Sequence, residues 1–191
     1  MKLEKSTKII AIVGMTGSGK STVVDYIKEK GVPDVYFGGV ILNAMKEAGI
    51  ENSPENEKNF REDIRKKEGN DFVVKRVIDE TNKLIESGQH RILLDGLYTW
   101  SEYKILKHQY PGEVAVVAIV VAKTLRHHRL AHRPVRPFNE QEAMERDRSE
   151  IENLEKGGPI AAADYYIDNS GSIEDLKKNV DKALSELGFF E

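Results

Sequence analysis

The chain has 191 residues, the size of one domain. Its 29 Lys and Arg residues against 32 Asp and Glu residues give a formal net charge of −3, which argues against broad electrostatic binding to nucleic acid or to a membrane. The absence of cysteine excludes disulfides and thiolate metal sites, and the short, charged N-terminal stretch and the lack of a bilayer-length apolar run predict a cytoplasmic protein.

The first predicted strand, Lys8–Val13, leads into a glycine-rich loop and then into a predicted helix, Ser21–Lys30. The loop and the start of the helix read Gly14, Met15, Thr16, Gly17, Ser18, Gly19, Lys20, Ser21, Thr22, which contains the pattern G-x-x-x-x-G-K-S. Strand, loop and helix in this order are the context of a phosphate-binding loop. Its glycines let backbone N–H groups turn inward, and the helix N-terminus favours an anion. These nine residues are the predicted ATP site, in which Lys20 reaches the β- and γ-phosphates and Ser21 ligates Mg²⁺.

A second predicted strand, Val35–Phe37, ends at Gly38-Gly39. Two glycines permit either close approach of a substrate or a tight strand-to-helix turn, and both interpretations stay open. Three predicted helices follow: Val40–Ala48, Pro54–Lys67 and Asp71–Glu86.

The third predicted strand, Arg91–Leu94, ends at Asp95-Gly96. Because ligands of parallel sheets bind at the carboxyl ends of the strands, Asp95 is predicted to support Mg²⁺ or to accept a proton from a substrate hydroxyl. The alternative is an ordinary turn aspartate before glycine. A helix, Ser101–His108, opened by the capping pattern Thr99-x-x-Glu102, and a fourth strand, Val114–Val121, come next.

Arginines cluster in the region that follows. On the predicted helix Thr124–His132, the spacing places Arg126, Arg129 and Arg133 on one face. Arg146 belongs to a charged helix predicted around residues 139–156. Phosphoryl transfer needs cations of this kind, although a solvated helix face with pairs such as Glu142–Arg146 is the alternative. The nearby histidines have no accompanying acid or cysteine pattern, so no metal site is predicted there.

The fifth predicted strand, Tyr165–Ile167, is followed by the helix Ser172–Leu187. Apolar runs that alternate with helical patterns predict an α/β fold with a parallel sheet and helices on both faces.

The end of the chain carries a family resemblance. Residues 163–176 resemble the A-D-x-x-I-x-N-x-G-S-x-x-x-L ending of dephospho-CoA kinases and of their nucleoside-monophosphate-kinase-like relatives. Arg129-Leu130-x-x-Arg133 is similar to the segment that opens the lid of those kinases, and residues 145–148 resemble the lid arginines of an archaeal adenylate-kinase-like group. The resemblance implies a three-layer P-loop NTPase fold with a five-stranded sheet in the order 2-3-1-4-5. It also implies a substrate-binding insertion at about residues 40–89 and a lid at about residues 133–160.

The acceptor side departs from these families. Dephospho-CoA kinases carry an aspartate-rich segment after the second strand, and residues 37–41 here contain no acid. The expected acceptor site therefore consists of Gly38, Gly39, Arg61 and Arg65, with a phosphate held by the two arginines. An acceptor that is already a phosphate would need no general base.

The resemblance implies an ATP- and Mg²⁺-dependent kinase that phosphorylates a small nucleotide-like acceptor, as a monomer or homodimer. Lys20 and Asp95 serve the reaction centre in this interpretation, and Arg129, Arg133 and Arg146 close over the phosphates. The alternatives are dephospho-CoA kinase itself and an ATP-binding regulatory switch without a small-molecule acceptor.

Overall fold

The core of the protein is a parallel sheet of five strands. The computed structural model describes residues 7–69 and 71–191, apart from the side chains at positions 54, 55, 57, 58, 61, 62 and 65. The strands are β1 (Lys8–Val13), β2 (Asp34–Tyr36), β3 (Arg91–Asp95), β4 (Val114–Val120) and β5 (Tyr165–Asp168). Their spatial order is β2-β3-β1-β4-β5, which confirms the predicted topology.

Helices cover both faces of this sheet. They are α1 (Lys20–Lys28), α2 (Phe37–Glu47), α3 (Pro54–Glu68), α4 (Phe72–Glu86), α5 (Trp100–Gln109), α6 (Lys123–Ala131), α7 (Glu140–Glu152), α8 (Gly157–Ala161) and α9 (Ile173–Glu186). None of the helices in the described part of the chain is long and apolar enough to cross a membrane.

The central strand β1 shows why the fold has three layers. Ile9, Ala11 and Val13 pack into one core with helices α2, α4 and α5. The alternate residues, Ile10 and Ile12, pack into a second core with α1 and α9. A continuous apolar run with a side-chain period of two fills both cores at once, as expected for a strand buried on both faces.

Capping residues set the starts of several helices. Thr99 and Glu102 form a reciprocal capping box at α5, as the sequence predicts, and Ser172 and Asp175 form another at α9. The Ser53 hydroxyl accepts the Asn56 N–H where α3 begins. These local signals fix where the chain enters its helices.

Gly38 and Gly39 belong to a helix, which corrects the predicted boundary after the second strand. Strand β2 ends at Tyr36, and α2 begins at Phe37 and includes both glycines. A Cβ at Gly38 would lie 2.4 Å from the Tyr36 hydroxyl, and a Cβ at Gly39 would lie 3.1 Å from the Tyr36 ring. The glycines therefore make room for the Tyr36 ring against the first turn of α2.

The arginine-rich region also differs from its predicted form. Helix α6 ends at Ala131, so Arg133 lies beyond the helix and does not share a face with Arg126 and Arg129. Pro134 stops the helix because proline excludes the α conformation from the residue before it. The charged helix predicted around residues 139–156 ends earlier, since α7 stops at Glu152 and Glu155 adopts a positive φ of 50° before the separate short helix α8 begins.

Candidate phosphate-binding site

The loop between β1 and α1 has the backbone of a phosphate cradle. Gly17 and Gly19 adopt positive φ angles of 84° and 95°, which side-chain-bearing residues rarely adopt. A Cβ at Gly19 would lie 2.2 Å from Nδ2 of Asn169, and a Cβ at Gly17 would lie 3.0 Å from Leu130. Both conformation and space therefore require glycine at these two positions.

The polar groups of the loop fit a phosphate and a metal ion. Helix α1 begins at Lys20 without a side-chain cap, so its positive N-terminal end remains available to an anion. The Ser18 hydroxyl is buried and has no hydrogen-bond partner within the described part of the chain. Ser21 and Thr22 are exposed on the first turn of the helix, where Ser21 can reach Mg²⁺.

The Lys20 ammonium folds back over the loop. Its Nζ donates to the backbone oxygen of Met15 over 3.2 Å. Burial, together with the nearby positive charge of Lys156, lowers the pKa of Lys20 to about 8. The negative charges of Glu150 and Asp95 offset this shift only in part, and a bound phosphate would favour the charged form of Lys20 further.

Asp95 lies at the same edge of the sheet. The parallel register pairs Asp95 with Ile12, two residues before the loop begins. Burial and the charge of Asp34 raise the pKa of the Asp95 carboxyl, while Lys20 and Lys28 oppose that shift. The sheet thus places a carboxyl within electrostatic reach of Lys20, where it can support Mg²⁺ or accept a proton. No group of three or more metal-ligating His, Cys, Asp or Glu side chains occurs among the described residues.

Helix α7 of the predicted lid contacts the loop through a buried carboxylate. Oε2 of Glu150 accepts the Thr16 backbone N–H over 2.9 Å, and Oε1 accepts the Thr16 hydroxyl over 2.6 Å. The same Oε1 lies 2.7 Å from Nζ of Lys156 and 3.2 Å from the Arg146 guanidinium. We name Thr16, Arg146, Glu150 and Lys156 the Glu150 cluster.

The charges of the Glu150 cluster stabilise one another. Burial alone would raise the pKa of the Glu150 carboxyl, but Lys156 and the hydrogen bonds from Thr16 lower it below its usual value. Burial lowers the pKa of Lys156, and Glu150 opposes that shift. Through Glu150 the cluster brings the predicted lid residue Arg146 close to Thr16 of the loop, and the charge of Arg146 acts on Lys20.

A second buried ion pair joins α6, α7 and the loop. Arg126 forms a two-pronged pair with Asp147, with both N–O distances at 2.8 Å, and also donates to the Thr16 carbonyl over 2.9 Å. His127 lies 2.8 Å from the same carboxylate through Nε2. Burial would raise the pKa of Asp147, but these two partners lower it. Arg126 therefore has a structural role next to the site.

Arg129 and Asn169 form the opposite wall of the loop. Asn169 donates from Nδ2 to the Ser18 carbonyl over 2.8 Å, and its own carbonyl accepts from Arg129 over 2.8 Å. Nη1 of Arg129 is buried and has no hydrogen-bond partner in the described structure. This free donor leaves Arg129 able to bind a further polar group.

Of the other predicted arginines, the structure describes the side chain of Arg133 alone. Arg133 stacks its guanidinium 4.4 Å from the centre of the Phe138 ring and donates to the Arg136 carbonyl. The side chains of Arg61 and Arg65, on α3, lie outside the described residues. The roles predicted for these three arginines in phosphate binding stay predictions.

Sequence reasoning missed Glu150, Lys156 and Asp147. Glu150 follows Arg146 by four residues on one helix, which is the spacing of an ion pair. Nothing local connects Glu150 to Thr16, which is 134 residues away. Lys156 carries no local signal, because a lysine before two glycines resembles an exposed turn.

Three comparisons place the chain among known proteins. The family model AAA_18, described as an AAA domain, matches residues 10–153. A UPF0200 protein of Hyperthermus butylicus is 30% identical over 182 residues, which cover 94% of each chain.

Two solved structures share the fold. TT1252 from Thermus thermophilus has a TM-score of 0.65 at 20% identity and covers 96% of this chain and 99% of its own. A shikimate kinase from Bacteroides thetaiotaomicron has a TM-score of 0.59 at 12% identity, with 95% and 98% covered. Likeness at this identity shows that the chain shares the fold of these two structures. The chain carries the AAA domain of that model and belongs to the UPF0200 family.

Proposed function

We propose that this protein is an ATP- and Mg²⁺-dependent kinase that transfers the γ-phosphoryl group to a small, nucleotide-like acceptor. One observation carries the proposal: the phosphate loop, Asp95 and Arg146 of the predicted lid meet at one edge of the sheet. The fold shared with shikimate kinase, an enzyme with a small-molecule substrate, agrees with this assignment.

The residues at this edge would have different roles in binding ATP and in transferring its phosphoryl group. The loop N–H groups and Lys20 would hold the β- and γ-phosphates, and Ser21, with Asp95 nearby, would hold Mg²⁺. During transfer, an acceptor oxygen forms a bond to the γ-phosphorus as the bond from that phosphorus to the bridging oxygen breaks, and ADP leaves. Lys20 and Arg146 would neutralise the charge on the moving phosphoryl oxygens.

The acceptor side favours a group that is already a phosphate. Residues 37–41 contain no carboxylate, and their glycines accommodate the Tyr36 ring. A phosphate oxygen needs no general base, so Asp95 is free to support Mg²⁺. A hydroxyl acceptor, as in dephospho-CoA kinase, would instead transfer its proton to Asp95, whose raised pKa suits that role.

The contact between Glu150 and Thr16 gives one reason to consider a second function. Because a lid carboxylate bonds to the phosphate loop, nucleotide binding could alter the position of α7 and act as a switch. In that case the protein would hydrolyse ATP slowly without transferring phosphate to a small molecule.

A panel of acceptors separates these functions. The protein is incubated with ATP, Mg²⁺ and, in turn, each nucleoside monophosphate, each nucleoside and dephospho-CoA, and the products are separated by chromatography. We expect one nucleoside monophosphate to yield a phosphorylated product and ADP in equal amounts. Slow ADP formation that no acceptor accelerates would refute the kinase assignment and support the switch.

A further inference from the structure

Lys156 is a buried cation to which the proposed reaction gives no role. The residue is 1% exposed, and lysine is almost never buried so completely without a partner. Its ammonium lies 2.7 Å from Oε1 of Glu150 and 4.7 Å from the centre of the Tyr98 ring. Such a position is costly for a charge unless that charge is used or well compensated.

Geometry places this ammonium beside the phosphate loop. The Thr16 hydroxyl and Nζ of Lys156 contact the same oxygen of Glu150, over 2.6 and 2.7 Å. The two groups therefore lie within about 5.3 Å of each other. The positive charge of Lys156 also acts on Lys20, where it is the largest influence on the pKa after burial.

One carboxylate oxygen is shared by several donors. Oε1 of Glu150 contacts Arg146, Lys156 and the Thr16 hydroxyl together. Glu102 also acts on Lys156 as a further carboxylate. A phosphoryl oxygen beside these cations would offer them a second anionic partner.

The Glu150 carboxylate itself marks a position for an anion. It accepts a backbone N–H of the phosphate loop, a hydroxyl and two cationic side chains, a set of donors that also suits phosphate oxygens. Glu150 thus binds, from within the chain, donors of the kind that a phosphate oxygen would use.

We propose that Lys156 is a third cation of the phosphoryl-transfer site, and that it binds the oxygens of the γ-phosphate once nucleotide draws it from Glu150. This inference rests on the proposed function for its ligand. It assigns to Glu150 the role of holding Lys156 in place, buried against Tyr98, before nucleotide binds. Lys156 is a catalytic residue in this account, because it touches the group that is transferred.

Nucleotide affinities test the inference without knowledge of the acceptor. The dissociation constants of Mg²⁺-ADP and of a non-hydrolysable Mg²⁺-ATP analogue are measured by titration calorimetry for the wild type and for Lys156→Met. We expect the variant to retain its affinity for ADP. The ratio of its affinities for the ATP analogue and for ADP should fall by about 10- to 100-fold, because one charge-assisted hydrogen bond is lost. Lys156→Arg should restore most of that preference. Lys182→Met, which removes an exposed lysine of α9, should leave both constants unchanged.

Two further outcomes decide the interpretation. Equal effects on both nucleotides, or no effect on either, would overturn the role of Lys156. Failure of the wild type to bind either nucleotide would instead refute the proposed function. If Lys156→Met does not fold because the buried Glu150 carboxylate has lost one of its two cationic partners, the double variant Glu150→Gln, Lys156→Met removes both charges together. A double variant that still prefers the ATP analogue to the wild-type extent would equally overturn the inference.

Discussion

The substitution Asp147→Asn should destabilise the protein strongly, because it leaves a buried guanidinium without its counter-charge. Asp147 uses both carboxylate oxygens on Arg126, at 2.8 Å each, and its Oδ2 also contacts His127. The side chains of Arg126 and Asp147 are 7% and 12% exposed. Removing one partner of a buried ion pair costs about 3–5 kcal/mol of the free energy of unfolding.

That cost corresponds to a large change in melting temperature. In a chain of this size, 1 kcal/mol shifts Tm by about 2–4 °C, so a loss of about 3 kcal/mol should lower Tm by about 6–12 °C. Thermal and urea denaturation followed by circular dichroism measure both quantities. The effect should extend to ATP affinity, because Arg126 also donates to the Thr16 carbonyl of the phosphate loop.

Asp181→Asn is the matched control. Asp181 pairs with Lys30 over 2.8 Å, but its side chain is 49% exposed. An exposed pair contributes about 0–1 kcal/mol, so this variant should lose little stability. A loss below about 1 kcal/mol for both variants would refute the reasoning, since it would mean that water reaches Asp147 and that α7 does not pack against α6 in solution.

Three further predictions concern the loop. Gly19→Ala should lose about 1–2 kcal/mol of stability because the φ of Gly19 is positive, and more because the new Cβ would meet Asn169. Gly157→Ala is the control and should lose none, because a Cβ there would meet nothing within 4 Å. Urea denaturation that finds the two variants equally stable would contradict the described loop. Because the pKa of Lys20 is lowered to about 8, Lys20 loses its proton as the pH rises through that value, and ATP affinity should fall above about pH 8. Titration calorimetry that finds a constant ATP affinity up to about pH 9.5 would contradict this. In Lys156→Met the loss of the nearby positive charge should shift this decrease in ATP affinity to higher pH. A decrease at the same pH as in the wild type would mean that the charge of Lys156 does not act on Lys20.

The phosphate loop could be predicted from the sequence because it depends on a local pattern, whereas the strand order was implied by the family resemblance. The loop is a contiguous motif between a strand and a helix. The continuous apolar run of β1 predicts that this strand is buried on both faces. The caps at α5 and α9 need only residues three apart. Asp95 could be placed because the end of a parallel strand next to β1 must lie beside the loop.

Contacts between distant segments could not be predicted. The bond from Thr16 to Glu150 joins residues that share no local pattern, and packing alone determines it. The sequence suggested that Gly38 and Gly39 end a strand, as a tight turn or a point of close substrate approach, but both lie within α2, where a side chain would collide with the Tyr36 ring. Arg133 was expected on the face of α6, and Pro134 ends that helix first.

Transfer of label from ATP tests the central claim most directly. The protein is incubated with ATP labelled at the γ-phosphate, or in parallel at the α-phosphate, together with Mg²⁺ and the nucleoside monophosphates. We expect the γ-label to appear in the phosphorylated acceptor and the α-label to remain in ADP, and Lys20→Ala to abolish the transfer while the variant keeps its folded circular dichroism spectrum. Undiminished transfer in Lys20→Ala, or γ-label released only as inorganic phosphate by the wild type, would contradict the central claim.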